Sequence, residues 1–404
     1  MSKKGRHIVA LDIGSTKTCA LVAEQDGEGD VQFVGLGAAE SKGWRKGQIV
    51  NLDLAVSSIR RAIEEAEALV GVPVESAVVG IAGSHVRGVN SRGGVTTGAK
   101  PRDIQREDVR RAVEAARAVN LSEDREILHV LPQEFFLDGH DSIRDALGMV
   151  GQRLEANVHI VTASGTATQN IVTAVNRAGV RVDDTVLEPL ASAEACLTQD
   201  ERELGVCLLD IGGGTTELIV YTGGVVRHTA AIPVGGDHFT NDIAVGLRTP
   251  IPEAEKIKRE HACALGELLR QDVAIEIASV GDRPPRTVFA RMVAEIVEPR
   301  AQELLILIRE ELRRAGLDTL IPAGIVLTGG GAHLLGLPEL AERIFNLPVR
   351  VASPRGLAQM SEEVSRPEYS TAVGLVLYAA RARRVTGARP AGFVGKLKSM
   401  FAGA

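Results

Sequence analysis

The stretch VCLLDIGGGTTELIVY at residues 206–221 predicts a strand, a tight turn and a returning strand. Residues 206–209 are an apolar run, residues 212–214 are glycines that allow positive φ, and residues 218–221 resume the strand pattern. A turn of this kind leaves successive backbone N–H groups aimed at one point, which makes an anion site without a basic side chain. The pattern therefore predicts a phosphate-binding hairpin, although a single Gly-rich hairpin is more often only a turn.

Side chains next to these glycines fit the same ligand. Asp210, at the end of the first strand, can hold a hydrated Mg²⁺ beside a phosphate, because Mg²⁺ keeps several waters and prefers one or two carboxylates. Thr215 and Thr216 offer hydroxyls at the same place.

A second copy of the pattern lies near the start of the chain. The stretch IVALDIGSTKT at residues 8–18 repeats the apolar strand, the Asp-Ile-Gly and the hydroxyl residues, and residues 19–23 form the returning strand. Two matching units far apart in the sequence imply a duplicated fold with two facing phosphate loops. The duplication favours the phosphate-binding interpretation over a plain turn.

Composition excludes several classes of protein. The chain has 404 residues, enough for two or more domains with substantial cores. Its net charge of −6 argues against a nucleic-acid partner, since no global positive field would attract a phosphate backbone. The four cysteines contain no Cys-x-x-Cys pair, so neither a disulfide framework nor a zinc site is indicated. The chain carries no apolar run of membrane-spanning length and begins without a signal-like segment, so we expect a cytosolic body.

The remaining sequence alternates helical and strand patterns, with a change of composition to Gly, Ser, Thr and Arg at residues 83–98 that marks a boundary. We expect a small α/β insert at 84–162. The other expected elements are a helix at about 53–70, a strand at 76–81, helices at 163–177 and 190–198, a long helix at about 299–315, a strand at 324–327 and a helix at 337–345.

Two further features stand out in the second half of the sequence. Residues 328–332 read Thr-Gly-Gly-Gly-Ala, and glycines there would allow a flat ring such as adenine to approach the backbone, although a plain strand-to-helix turn would be favoured if this motif stood alone. Glu255 and Lys258 stand three residues apart on one helical face, which is also the spacing of an ordinary surface salt bridge.

With two Asp-x-Gly hairpins and a late Gly-Gly-Gly turn in this order, the sequence resembles the actin-like ATPase superfamily and, within it, the bacterial FtsA cell-division family. The resemblance covers nearly the whole chain and rests on motifs at 12–18, 187–192, 210–216, 254–258 and 328–332. It implies an α/β, actin-like (ribonuclease H-like) duplicated fold with an FtsA-type inserted subdomain and a C-terminal amphipathic helix.

The family's domain plan maps onto this chain as six units. They are subdomain 1A at 1–83 plus 163–205, the inserted subdomain 1C at 84–162, subdomain 2A at 206–225 plus 298–380, subdomain 2B at 226–297, a linker at 381–390 and a membrane-targeting helix at 391–404.

The resemblance also implies that MgATP binds between the two halves. The residues that would hold phosphate are Gly14, Ser15, Thr16, Lys17, Gly212, Gly213, Gly214 and Thr215. Asp12 and Asp210 would organise Mg²⁺ through water, Glu255 and Lys258 would contact the ribose, and the adenosine motif is Gly329, Gly330, Gly331 and Ala332. A carboxylate near Glu188 orients the attacking water in relatives that hydrolyse ATP, but a Glu before a helix-starting Pro is also a common cap. Hydrolysis therefore does not follow from binding.

The end of the chain, GFVGKLKSMF at residues 392–401, predicts a short amphipathic helix. Phe393, Val394, Leu397, Met400 and Phe401 share one face, and Lys396 and Lys398 lie off it. This pattern is typical of a helix in the interface of an anionic membrane. The alternative is a helix docked on the protein's own core or on a partner, which the basic linker before it disfavours.

The resemblance implies a cell-division protein that forms filaments and tethers the tubulin-like protein FtsZ to the cytoplasmic face of the inner membrane at the division site. FtsZ would dock on residues 226–297 and other division proteins on the insert. Two other functions stay open: a pilus or secretion assembly ATPase of the same architecture, and a small-molecule kinase, for which we find no motif.

Overall fold

The computed structural model describes residues 6–45, 47–281 and 283–386. The first half of the chain contains β1 (Arg6–Ile13), β2 (Lys17–Gln25), β3 (Val31–Glu40), β4 (Trp44–Arg45), β5 (Gln48–Ile49), α1 (Leu52–Val70), β6 (Ser76–Ile81), β7 (Arg87–Thr96), β8 (Arg102–Asp103), α2 (Arg106–Arg117), β9 (Arg125–Leu137), β10 (His140–Ile143), β11 (Val150–Gly151), β12 (Arg153–Ser164), α3 (Gly165–Arg177), β13 (Arg181–Leu187), α4 (Glu188–Cys196) and α5 (Gln199–Leu204). The second half contains β14 (Val206–Ile211), β15 (Thr216–Thr222), β16 (Val225–Ile232), α6 (Gly236–Leu247), α7 (Ile251–His261), β17 (Ala274–Ile277), β18 (Arg286–Phe289), α8 (Ala290–Arg314), β19 (Ile325–Thr328), α9 (Leu337–Phe345), β20 (Val349–Val351) and α10 (Ser370–Thr386).

Two five-stranded sheets repeat the same topology. The first has the order β3-β2-β1-β6-β13 and the second the order β16-β15-β14-β19-β20. In each sheet the first three strands of the unit form an antiparallel meander, and the last two strands add in parallel beside the first strand. The expected duplication is therefore confirmed, and it places the turn of each hairpin at the same end of its sheet.

The two halves share a core. Leu208 and Ile219 on one face of the second sheet belong to the same apolar cluster as the first sheet, whereas Leu209 and Leu218 on the other face pack with the cluster around α8. This division follows from the alternation of side chains along a strand. Helix α10 packs on α4 and β1, so it holds the first half of the chain against the second.

The insert is a separate layer between β6 and α3. Its sheet has the order β10-β9-β12-β7, and α2 covers one face around a core that includes Val113, Leu154 and Ile160. The insert also packs against β16 of the second sheet. The described residues therefore form a duplicated body with one inserted subdomain, as expected.

The observed elements depart from the expected ones at several places. Helix α8 begins at Ala290 and carries Pro299 inside it, because buried apolar residues on both sides of the proline hold the helix despite the lost N–H donor. Strand β13 was not expected, since two aspartates interrupt its apolar pattern. Residues 381–386, expected to begin the linker, continue α10.

Two predicted subdomain boundaries do not follow the elements. The boundary at 225/226 cuts β16 from the sheet with which it pairs, and the boundary at 297/298 lies inside α8. The predicted helix at 391–404 and the end of the predicted linker lie outside the described residues. Over the part of the chain that is described, no helix combines the length and the apolar character needed to span a bilayer.

Candidate functional site

The turns of the two hairpins face each other. Each turn is closed by the same backbone bond, from Gly14 N to Lys17 O in the first and from Gly212 N to Thr215 O in the second, both at 2.9 Å. A Cβ placed on Gly213 would stand 2.5 Å from Thr16 Cγ2, so the turns approach as closely as a glycine permits. The structure therefore brings the two predicted phosphate loops together.

The N-terminus of α6 supports the second hairpin. The backbone N–H groups of Gly236 and Asp237 donate to the carbonyl oxygens of Gly212 and Gly213, at 2.9 and 2.8 Å. Gly235 lies so close to this turn that a Cβ on it would be 2.6 Å from Gly213 O. The hairpin is thus held by backbone contacts, and its conformation is fixed without side chains that would fill the cleft.

Asp12 and Asp210 end the first strand of their hairpins and are both buried. Burial raises the pKa of Asp12 to about 6; the Lys17 charge opposes this rise and the Asp210 charge adds to it. Burial also raises the pKa of Asp210. Hydrogen bonds from Ser192 Oγ at 2.6 Å and Thr371 Oγ1 at 3.0 Å lower this pKa but do not outweigh the effect of burial. The charge of Asp210 therefore acts on Asp12 across the two hairpins.

Asp12 and Asp210 could hold a metal ion only through its water shell. Within residues 6–45, 47–281 and 283–386, no three His, Cys, Asp or Glu side chains come together as a direct metal site. Two buried carboxylates suit Mg²⁺ bound through its water shell, which needs few protein ligands when phosphate oxygens supply the rest. The residues present thus fit a hydrated Mg²⁺ brought with a nucleotide.

Glu188 joins the same carboxylate cluster. It is the first residue of α4, with Leu187 at the N-cap position, and its Cγ and Oε1 lie 2.8 Å from the place of a Cβ on Gly80. Burial, followed by the charges of Asp12, Glu217 and Asp210, raises its pKa well above the ordinary value. Its side chain is therefore placed among the groups that would surround a bound phosphate.

Glu217, a further carboxylate near Asp210, is buried and was not predicted from the sequence. Burial raises its pKa to about 8, and its Oε1 accepts a hydrogen bond of 2.6 Å from Thr215 Oγ1. A charged residue in a strand whose other central residues are apolar was the signal that could have identified it, since such a residue is costly unless it has partners.

Lys17 points toward the turn at Pro367–Tyr369, a 3₁₀ helix. Its Nζ donates to Glu368 O at 2.6 Å and lies 3.4 Å from the centroid of the Tyr369 ring. The same turn accepts the backbone N–H of Gly329 through Pro367 O at 3.2 Å. The structure therefore links the first hairpin with the Gly-Gly-Gly motif across the cleft.

Glu255 and Lys258 form the expected ion pair, at 2.7 Å, but it is not a bare surface bridge. Lys258 Nζ also donates to Gly236 O at 3.1 Å and Thr240 Oγ1 at 2.9 Å. Burial disfavours ionisation of Glu255, but hydrogen bonds from Lys258 and Thr240 outweigh it and lower the pKa of Glu255. The pair is therefore anchored to the start of α6, beside the second hairpin.

The three glycines at 329–331 have different surroundings. Gly329 has φ +80, and a Cβ on Gly329 or on Gly331 would collide with Asp210 or Ile211. Gly330 has only Glu368 Cβ nearby, at 3.9 Å. Packing within the protein thus requires glycine at 329 and 331. Of the three glycines, only Gly330 has free space next to its Cα that a ligand could occupy. Residues Gly330–His333 form a 3₁₀ helix.

The predicted membrane-contact residues lie outside the described residues. They are Phe393, Val394, Lys396, Leu397, Lys398, Met400 and Phe401.

Two matching sheets, with facing hairpins over buried carboxylates and an insert after β6, define an actin-like protein. The sequence model described as cell division protein FtsA matches residues 207–374, and the one described as the SHS2 domain inserted in FTSA matches residues 83–162. The chain is 49% identical over 376 residues to the cell division protein FtsA of Pseudomonas aeruginosa, covering 93% of this chain and 90% of that protein. The chain belongs to the FtsA family of cell division proteins.

Solved structures with the same fold are more distant in sequence. A PilM-PilN type IV pilus biogenesis complex matches with a TM-score of 0.66 at 18% identity, covering 92% of this chain and 97% of that chain. A structure described as a MamK double helical filament matches with a TM-score of 0.54 at 11% identity, covering 93% and 98%. At these identities the likeness concerns the fold, and the actin-like fold together with the family indicates nucleotide binding.

Proposed function

We propose that the chain binds ATP with Mg²⁺ in the cleft between its two halves. The single observation that carries this proposal is the approach of Thr16 to Gly213, which sets the two hairpin turns face to face. A phosphate chain between them would meet backbone N–H groups from both sides, and the hydroxyls of Ser15 and Thr16 lie in the first of these turns. Lys17 would add a positive charge.

Mg²⁺ would be held through water by Asp12 and Asp210. When bound, the ion supplies positive charge that neutralises the phosphate oxygens. Ser192 and Thr371 both donate to Asp210 Oδ2, so they fix the orientation of the carboxylate that faces the ion's water shell.

The nucleoside would lie beside α6 and α7. Glu255 is held in ionised form by its hydrogen bonds, which makes its carboxylate an acceptor for ribose hydroxyls. Lys258 is fixed beside it. Adenine would lie against Gly330, the only glycine of its motif with an open face.

Glu188 is our candidate for orienting an attacking water. Its position among Asp12, Asp210 and Glu217 supports this role, because a hydrolytic water must lie next to the phosphate that these groups surround. The Glu188→Gln variant should keep ATP affinity and lose phosphate release. If Glu188 acts only as an acidic residue in the first turn of α4, the variant loses about 0.3–1 kcal/mol of stability and releases phosphate as before.

We further propose that the protein forms filaments and tethers FtsZ to the cytoplasmic face of the inner membrane at the division site. Membership of the FtsA family supports the division role, and the fold shared with a filament-forming protein supports self-association. FtsZ would dock on residues 226–297, other division proteins on the insert at 84–162, and the segment 391–404 on anionic lipid.

The small membrane-binding free energy of a single terminal segment favours a tether that acts as a filament. Five apolar side chains in the terminal segment, each contributing on the order of 1 kcal/mol after ordering, give only weak and reversible attachment. Many such segments on one filament raise the effective concentration and convert weak attachment into firm recruitment.

Co-sedimentation with vesicles and purified FtsZ tests the whole proposal. With anionic vesicles, this protein and ATP, FtsZ should pellet, and it should stay in solution when this protein is omitted or when neutral vesicles replace the anionic ones. FtsZ that remains in the supernatant with saturating protein and vesicles contradicts the tether. An absence of adenine-nucleotide binding in a separate titration contradicts the cleft assignment.

The other two functions predict different results. A pilus-assembly role is supported only by likeness of fold at 18% identity, whereas the division family shares 49% identity and the inserted domain. A small-molecule kinase transfers the phosphoryl group of ATP to an acceptor and does not release it as inorganic phosphate, so phosphate release from ATP without added substrate separates it from our proposal.

A further inference from the structure

The side chain of Lys17 is held at its tip by two groups of the turn at Pro367–Tyr369. Its Nζ donates to Glu368 O at 2.6 Å and lies 3.4 Å from the centroid of the Tyr369 ring. An ammonium over the face of an aromatic ring is attracted by the electrons of that ring when it lies within about 6 Å of the centroid. The ring and the carbonyl together therefore fix the end of a side chain that is flexible when it is free.

Neither of these two partners neutralises the Lys17 ammonium. A backbone carbonyl and a tyrosine ring carry no formal charge, whereas a carboxylate would form a salt bridge with the ammonium. A lysine ammonium has three N–H donors, and Glu368 O accepts one of them. The positive charge of Lys17 is therefore fixed in place and still able to bind an anion beside the first hairpin.

The Tyr369 ring is itself firmly placed. Tyr369 is buried in the core that the two halves share, and its hydroxyl donates to Glu363 Oε1 at 3.0 Å. The turn that contains it is joined to the Gly-Gly-Gly motif, because Pro367 O accepts the N–H of Gly329 at 3.2 Å. The ring thus gives Lys17 a rigid surface to pack against.

We propose that Tyr369 is a positioning residue for phosphate binding, and that its ring holds the Lys17 ammonium where the phosphates bind. This inference rests on the proposed binding of ATP. A free lysine side chain samples many rotamers, and immobilising it on a ligand weakens binding. Because the Tyr369 ring already restricts Lys17, this entropic cost is met when the protein folds and does not reduce the affinity for ATP.

Titration of the full-length protein with MgATP and with adenosine, which lacks the phosphates, tests this role. Tyr369→Leu removes the ring and should weaken MgATP binding by at least about threefold, while adenosine binds as it does to the wild type. Tyr369→Phe keeps the ring and lacks only the hydroxyl, so it should bind both ligands like the wild type. In a Lys17→Met background, Tyr369→Leu should not weaken MgATP binding further, because the ring acts through Lys17.

A measurement on the wild-type protein decides the case in which Tyr369→Leu does not fold. In an NMR spectrum of protein with isotopically labelled lysine, the Cε protons of Lys17 can be assigned by their disappearance in Lys17→Met. These protons should resonate upfield of the other lysine Cε protons, because the end of the Lys17 side chain lies over the ring. An unshifted signal overturns the proposed placement of Lys17.

The other possible failures are distinguishable. Wild-type affinity for MgATP in Tyr369→Leu overturns the role of Tyr369, and so does an equal loss of MgATP and adenosine binding, which would indicate a general distortion of the cleft. A loss in Tyr369→Phe as large as that in Tyr369→Leu would show that the hydroxyl matters and the ring face does not. Each of these outcomes leaves ATP binding by the wild type intact, whereas a wild-type protein that does not bind MgATP overturns the proposed function and this inference together.

Discussion

Cys19 and Glu217 occupy the same position in the two hairpins. Cys19 is the cross-strand partner of Asp12, and Glu217 is the cross-strand partner of Asp210. Burial raises the pKa of the Cys19 thiol to about 12, so the first hairpin carries a neutral group where the second carries an acid with a pKa of about 8. The duplicated units have therefore diverged at the position across from the aspartate of each hairpin.

Replacing Glu217 by Gln should stabilise the nucleotide-free protein at alkaline pH. The folded-state pKa of Glu217 is about 8 and its ordinary value is 4.5, so the unfolded state loses its proton first and the stability of the wild-type protein falls as pH rises from about 4.5 to 8. The stability of Glu217→Gln does not fall in this way, so its free energy of unfolding near pH 8 should exceed that of the wild type by at least about 1 kcal/mol. Urea unfolding measures the difference, and equal stabilities at both ends of this pH range contradict the burial argument.

Adding a side chain at Gly213 should weaken ATP binding. A Cβ there would reach Thr16 Cγ2, so Gly213→Val must push the two hairpins apart, at a cost of about 1–3 kcal/mol that corresponds to roughly a 5- to 150-fold loss of affinity if it falls on binding. Gly27→Val is the matched control, because no atom lies within 4 Å of the Cβ position of Gly27. A nucleotide titration checks both variants. Wild-type affinity in Gly213→Val would mean that phosphate binds elsewhere.

Two neighbouring glycines of the 329–331 motif should respond differently to substitution. Gly330→Arg should stay folded and lose ATP binding, because its side chain enters the open face where adenine would lie. Gly331→Ala should lose about 1–3 kcal/mol of stability, since its Cβ collides with Ile211. Thermal unfolding and nucleotide titration separate the two effects. Unaltered affinity in Gly330→Arg would remove the adenine assignment.

These contrasts indicate how far the sequence predicts the structure. Strand β6 at Ser76–Ile81 and helix α9 at Leu337–Phe345 were predicted with their observed bounds, because regular apolar patterns and turn residues define both. Helix α8 was predicted to start nine residues late because Pro299 is locally a helix breaker, and only tertiary packing shows that the helix passes through it.

The candidate site was also predicted only in part from the sequence. Asp12 and Asp210 were identified because the hairpin motif repeats in the sequence. Ser192 and Thr371 were not, because they reach Asp210 from other segments of the chain. Glu217 was not identified either, although it stands out as a charged residue in an otherwise apolar strand. Local patterns identify the phosphate turns, whereas the partners that fix their carboxylates depend on the packed fold.

Acid should weaken the contact between the insert and the second sheet through His159. Its Nδ1 and Nε2 lie 2.6 Å from Asn90 Oδ1 and 2.9 Å from Thr229 Oγ1, and burial, with the nearby His228, lowers its pKa to about 3. In the unfolded state the His159 imidazole has a pKa near 6.5 and binds a proton at pH values where the folded state does not. The free energy of unfolding therefore falls as the pH drops below about 6.5.

Comparison with His159→Gln isolates this effect from that of other titrating groups. Between pH 7 and pH 5.5 the wild-type protein should lose about 1 kcal/mol more free energy of unfolding than the variant. Urea unfolding at the two pH values gives the difference. If the two proteins lose the same amount, the His159 ring is protonated in the folded state and the lowered pKa is wrong.

Ending the chain after Thr386 should abolish vesicle binding and leave the body folded, whereas ending it at Ala380 should also destabilise the body. The reason lies in the last turns of α10, where Arg381 pairs with Glu194 at 2.8 Å and Arg383 donates to His7 O at 3.1 Å. A truncation at Ala380 removes these contacts together with the terminal segment, so its loss of binding would have two possible causes.

Flotation with anionic vesicles, paired with thermal unfolding, separates those causes. The variant that ends at Thr386 should unfold at the wild-type temperature and remain with the soluble fraction. Full-length Lys396→Gln/Lys398→Gln should float less on anionic vesicles and equally on neutral ones, because each lysine near an anionic surface is worth about 1 kcal/mol. Flotation of the Thr386 variant at the wild-type level would place the membrane contact in the folded body, and the amphipathic pattern at residues 392–401 would then require another partner.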